Sequence, residues 1–142
     1  MASKNFTNLA RLLATAGVNW SSDTFKVLLV SSVPTEANLD GWTVRSNVTN
    51  EITGTGYTAG GIAQAFTLAA LDTTNNKQSI TWTNITNGWT ASTFNAMGAI
   101  IYKNVGTAAT DTLIAFIDFN GTITCTNGTF SISYTASFDI VD

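Results

Sequence analysis

The sequence has 142 residues, enough for one domain with a core that needs no disulfide or metal to hold it. Only 11% of its residues are charged, against roughly 25% in ordinary soluble proteins. The net charge is −3 and no apolar run approaches the roughly 18 residues of a membrane span, so neither a phosphate backbone nor a bilayer is an expected partner.

In chain order, residues 5–16 carry the one helical pattern. Phe6, Leu9, Ala10, Leu13 and Ala16 recur at helical spacing, with Leu12 widening the stripe. Asn5 is the expected N-cap, with Ser3 as competitor, and Gly17 the expected left-handed stop, followed by the apolar contact of Val18. Residues 19–23 read as a turn. Residues 24–31 then form the strongest strand: Phe25, Val27 and Leu29 line one face, while Leu28 and Val30 make the other apolar too. Such a strand is central in its sheet or sandwiched between layers. Pro34, the only proline, breaks it. Residues 36–51 scatter Ala37, Leu39, Trp42, Val44 and Val48 among polar neighbours, which predicts a long loop or one short edge strand.

Residues 54–61 read Gly-Thr-Gly-Tyr-Thr-Ala-Gly-Gly. Gly54, Gly56, Gly60 and Gly61 supply positive φ or close backbone approach, and the Tyr57 ring packs down to pin the turn. Gly54-x-Gly56-x-x-Ala59 fits a loose dinucleotide pattern, but that pattern works only between a strand and a helix. Here Ile62, Phe66 and Leu68 follow on even positions, the spacing of a strand, so the stretch reads as a structural bend.

From there the chain alternates as a β-protein. Strands are expected over 62–71, 79–85, 94–103, 112–119, 122–124 and 129–140, separated by a turn over 72–77, Asn87-Gly88, Asn104-Val105-Gly106, Asn120-Gly121 and Asn127-Gly128. In the last strand Phe130, Ile132, Tyr134, Ala136, Phe138 and Ile140 alternate with polar residues. The sum is one all-β domain spanning 1–142. We expect an antiparallel β-sandwich, jelly-roll-like, with one short N-terminal helix, a barrel being the alternative.

The chain has no histidine, which removes the commonest general base and metal ligand, and with it any Ser-His-Asp or Cys-His site. Cys125 alone can form neither an intramolecular disulfide nor a structural zinc site, and nothing basic near it in sequence activates its thiol. The carboxylates Asp23, Glu36, Asp40, Glu51, Asp72, Asp111, Asp118, Asp139 and Asp142 mostly sit in or beside turns, where Asp is a normal turn former. No catalytic, cofactor-binding or metal-ligating residue is assigned, and the expectation is a protein that is not an enzyme. The N-terminus shows no apolar signal core, so folding in a reducing cytoplasm is expected.

An ordered set of segments resembles a group of small structural proteins of tailed bacteriophages. These are Leu9-Ala10-Arg11-Leu12-Leu13, the Asn19-Trp20 turn, the strand over 23–30, the glycine stretch over 54–61, Gly98-Ala99-Ile100-Ile101-Tyr102-Lys103, and the strand over 113–119. The glycine stretch is the most specific, and together they cover most of the length. The resemblance implies a virion part made in the host bacterial cytoplasm. It is either a head decoration (cement) protein on the capsid surface, with the major capsid protein as partner, or a tail or neck component. Two classes of function follow. One is a structural protein that clamps neighbouring shell subunits as a homo-oligomer, a homotrimer at a symmetry axis by the geometry of shells. The other is a carbohydrate- or receptor-binding module of a tail or head fibre, in which Trp20, Trp42, Trp82 or Trp89 would stack on sugars, although their scatter among turns and alternating strands favours core and turn packing. The expected contact segments are the loop around Leu39 and Trp42 and the N-terminal segment through Phe6; tryptophan is enriched at interface anchors, the alternative for Trp42 being a ring that folds the loop onto its own core.

Overall fold

The computed structural model describes residues 2–135 and 138–141. Ala136 and Asp142 lie outside the described residues. The architecture is an antiparallel β-sandwich. One sheet has five strands in the order β1 (Ala2–Asn5), β7 (Thr112–Ile132), β6 (Ile85–Lys103), β2 (Phe25–Val30) and β3 (Ile62–Gln64). The other has three, β4 (Phe66–Leu68), β5 (Lys77–Trp82) and β8 (Phe138–Val141).

The large sheet is buried on both faces, as the two-sided apolar pattern of β2 requires. Phe25, Val27 and Leu29 join Ala99, Ile101, Ala115 and Ile117 on the face that meets the small sheet through Trp82. There Trp20 stacks on Phe25 at 5.0 Å, and Phe66, Trp82 and Phe138 close around the pair. On the opposite face Leu28, Val30, Ile100, Tyr102, Leu113 and Phe116 form a second core with Phe6 and Leu39.

Helix α1 (Thr7–Ala14) is shorter than the expected 5–16, because residues before it are drawn into the β1 edge strand: Ser3 pairs with Ile117 and Asn5 with Ala115. Phe6 is the N-cap and no side chain caps the helix there, so neither Asn5 nor Ser3 fills that role. The left-handed residue at its end is Ala16 (φ 53°), not Gly17. At Gly17 a Cβ would stand 2.7 Å from Leu12 Cδ2, so a side chain there would require the Leu12 tip to move.

The loop expected over 36–51 contains a second helix, α2 (Glu36–Gly41), and a 3₁₀ turn (Arg45–Asn47). Thr35 and Asn38 form a reciprocal capping box that starts α2, and Leu39 supplies the one buried side chain that docks it. The strand expected over 62–71 is cut at Ala65, where the chain leaves the large sheet for the small one. Gln64, 4% exposed, holds that corner, donating to the carbonyls of Ala65 and Thr83 (2.8 Å each) and accepting from the Tyr134 hydroxyl (2.5 Å).

Three expected turns are not turns between strands. Asn87-Gly88 lies inside β6, and Asn120-Gly121 and Asn127-Gly128 lie inside β7. The register of the β6–β7 pair slips beside each, so the dipeptides serve as bulges in one long hairpin. The strand expected over 129–140 is likewise divided: Phe130 and Ile132 end β7, while β8 starts at Phe138 in the other sheet.

Candidate functional site

The glycine stretch is the junction of the molecule. It crosses β6, where Thr93 donates to the Thr55 carbonyl (3.0 Å), and then reaches β2. Gly54 accepts from Tyr57 N–H and Gly61 donates to the Thr58 carbonyl, so two successive turns fold the segment. Glycine is obligatory at two points. At Gly56 (φ 77°) a Cβ would stand 2.9 Å from Ser92 Cα, and at Gly61 (φ 68°) it would stand 1.8 Å from the Val27 carbonyl oxygen.

Glu51 pins this stretch from the side. One oxygen of its carboxylate accepts from the Tyr57 hydroxyl (2.7 Å) and from Gly60 N–H (2.6 Å). The Tyr57 oxygen in turn accepts from Leu29 N–H (3.1 Å), and its half-buried ring stacks beside Trp89 and edge-on to Phe94. Burial first, then the Glu51 carboxylate, push the Tyr57 hydroxyl well above its ordinary pKa, against the opposing Leu29 N–H. The Gly60 carbonyl accepts from the Tyr102 hydroxyl (2.5 Å), whose pKa burial pushes up to about 12.

Over the Tyr102 ring, 5.4 Å from its centroid, lies the Arg45 guanidinium. Arg45 Nε pairs with Asp111 Oδ2 at 2.8 Å, and Asp111 Oδ1 accepts from Val105 and Gly106 N–H. Asp111 is 1% exposed. Burial opposes its charge, but the Val105 N–H, Arg45 and the Gly106 N–H outweigh it and hold the carboxyl below the ordinary range. A chain of polar contacts thus runs Asp111–Arg45–Tyr102–Gly60–Glu51–Tyr57–Leu29. It ties the 3₁₀ turn, the glycine stretch, β2, β6 and the loop before β7 together.

This cluster is scaffolding chemistry. Its two hydroxyls are held protonated near neutrality, and its carboxylates are engaged by backbone N–H groups, a tyrosine and an arginine. Among the described residues no three Cys, Asp or Glu side chains converge as a metal group would require. Cys125 is buried, with Sγ 3.4 Å from Ser92 Oγ.

The expected contact residues do not form a surface. Phe6 is 1% exposed and Leu39 4%, both packed in the second core, because the chain's own α1 and α2 cover the large sheet there. Trp42 is half-buried against the same core. Of the other tryptophans, Trp82 and Trp89 are buried and Trp20 packs in the aromatic cluster between the sheets. A shallow groove of about 300 Å³ lined by Phe119, Ile123, Phe130, Ser131, Ile132 and Ser133 contains no tryptophan. Among the described residues the large apolar side chains that face solvent are Leu13, Val33, Leu68, Leu71, Val105 and Ile123.

Comparison with protein families, characterised proteins and solved structures finds no match to this chain.

Proposed function

We propose that this chain is a structural protein of a tailed-phage virion, a decoration or cement protein that binds the outer shell and clamps neighbouring capsid subunits as a homo-oligomer. One observation carries the reading: the neutrality of the surface. The sequence has only fifteen charged residues, and eight of them pair with one another, as Lys4–Glu36, Arg45–Asp111, Lys77–Asp139 and Lys103–Asp23. What remains outside is a Thr-, Asn- and Ser-rich surface with exposed leucine, valine and isoleucine. Such a surface suits a protein covered by neighbours better than one diffusing alone. Repetition on a symmetric lattice multiplies weak single contacts into firm retention, and no charged or nucleophilic pocket is required.

A sugar-binding fibre module is disfavoured by the tryptophans, since stacking on a sugar needs an exposed ring. The contact surface passes from Phe6 and Leu39 to the exposed apolar residues, Leu68 and Leu71 foremost. The test is to locate the protein in intact particles by cryo-EM and to compare shell survival under heat and chelation with and without it. Density over the shell and weaker shells in its absence are expected. Density confined to the tail, with shells equally robust, overturns the reading.

A further inference from the structure

We infer that the free edge of β4 is a self-association surface at which a second copy of this chain adds its own β4 antiparallel, about a twofold axis. The inference rests on the reading of the chain as a self-associating structural protein and names the strand through which it associates.

The hydrogen-bond pattern fixes which groups of β4 point outward. Thr83 N–H donates to the Ala65 carbonyl and Ala69 N–H to the Ser79 carbonyl, while Thr67 stands opposite Thr81. The inward-bonding residues are therefore Ala65, Thr67 and Ala69, and the backbone N–H and C=O groups of Phe66 and Leu68 face the open edge. Beside them Leu68 is 41% exposed and Leu71 67%.

Two of the other three sheet edges carry charge. Edge β1 carries Lys4, paired with Glu36, and edge β8 carries Asp139, paired with Lys77. Edge β3 is uncharged, but Ile62, Ala63 and Gln64 include no exposed large apolar side chain. Edge β4, three residues long, carries neither a charge nor a proline and has Leu68 exposed beside its open backbone groups. Residues 52–71 contain no charged side chain at all, so neither a lysine nor an acidic residue repels an added strand.

The occupant follows from the same features. Outward N–H and C=O groups demand an extended strand, and an uncharged edge offers nothing to select a charged peptide. A second β4 supplies the complement: turned about Thr67, Phe66 of each copy exchanges both backbone hydrogen bonds with Leu68 of the other. Leu68 of each copy then lies directly beside Phe66 of the other. Such a contact is isologous and closes at two copies, not at the three suggested by shell geometry.

The test uses the purified full-length chain and needs no shell. Light scattering on a sizing column should give the mass of two chains. Thr67→Lys places two like charges directly opposite one another across the twofold and should raise the dissociation constant at least about tenfold. Thr67 is exposed, so the circular dichroism should not change; Thr129→Lys, also exposed and far from the edge, should leave the dimer intact. Thr67→Cys in a Cys125→Ser background should cross-link copies on oxidation, because Cα atoms of a non-hydrogen-bonded antiparallel pair lie about 4.5 Å apart. A mass of one chain or three, a dimer unaffected by Thr67→Lys, or no cross-link overturns the inference. A β4 dimer that does not bind shells leaves the inference standing and removes the proposed function; a monomer that does bind them has the opposite consequence.

Discussion

Tyr57, Tyr102 and Tyr134 are the chain's three tyrosines, and each hydroxyl is bonded inside the protein. Burial is the leading cause in all three, and all three are raised, Tyr102 to about 12 and the other two further. An unfolded tyrosine titrates near pH 10. Because the native state keeps the proton longer, this contribution to stability is whole below about pH 10 and is lost as pH rises through the native values. The expected ultraviolet titration therefore shows no tyrosinate near pH 10, then a cooperative rise coincident with loss of circular dichroism. A reversible rise near pH 10 in a chain that remains folded would place at least one hydroxyl in solvent. The same residues show what a sequence conceals. Tyr57 is legible as the pin of a glycine bend because an aromatic ring among glycines has little other use. Glu51, which holds its hydroxyl, looks like any loop carboxylate, and Arg45 and Asp111 stand 66 residues apart with nothing local to link them.

At the scale of elements, the sequence is most readable where an apolar run is bounded by turn residues. Strand β2 and the cores of β6 and β7 are legible in this way, and the apolar residues on both faces of β2 announce the two-sided burial of its sheet; the cleanest alternation, over 129–140, is the one the structure divides. The reading fails at chain ends and bulges. Asn-Gly is chemically suited to αL, which a hairpin turn and a bulge demand alike, so composition cannot tell them apart. Helix α2 escapes because six residues are too few to show a period. A local consequence concerns Ala16, which ends α1 at φ 53°. Four of the six described non-glycine residues with positive φ are asparagine, which tolerates that region; Ala16 and Ala91 are not. Ala16 is exposed and its side chain contributes little packing. Ala16→Gly should relieve the strain and, after the added unfolded-state entropy, stabilise the protein by about 0.5–1 kcal/mol in urea unfolding. A loss of stability would mean that the alanine methyl packs better than its exposure implies.

For the whole molecule, sparse charge concentrates the electrostatics into a few pairs, and this sets how it responds to acid. Asp111 and Asp23 are both held below the ordinary carboxyl range. For each, burial opposes the charge; Val105 N–H and Arg45 outweigh it at Asp111, and Asn19 N–H and Lys103 at Asp23. With the native pKa depressed, the stabilisation is whole above the unfolded value of about 4 and is lost as pH falls through the native values, where the unfolded chain binds protons more readily. Asp111 matters more, since it is buried and joins the loop before β7 to the 3₁₀ turn and, through Arg45 and Tyr102, to the glycine stretch. Asp111→Asn leaves the Arg45 cation without its partner and should cost about 3 kcal/mol at neutral pH. It should also flatten the acid limb, because the group that took up the proton is gone. The measurement is a urea midpoint followed from pH 7 down to 3 in both proteins. Parallel acid limbs would show that Asp111 does not carry the acid response and would move that role to Asp23 at the exit of α1, where Lys103 also donates to the Gly17 carbonyl.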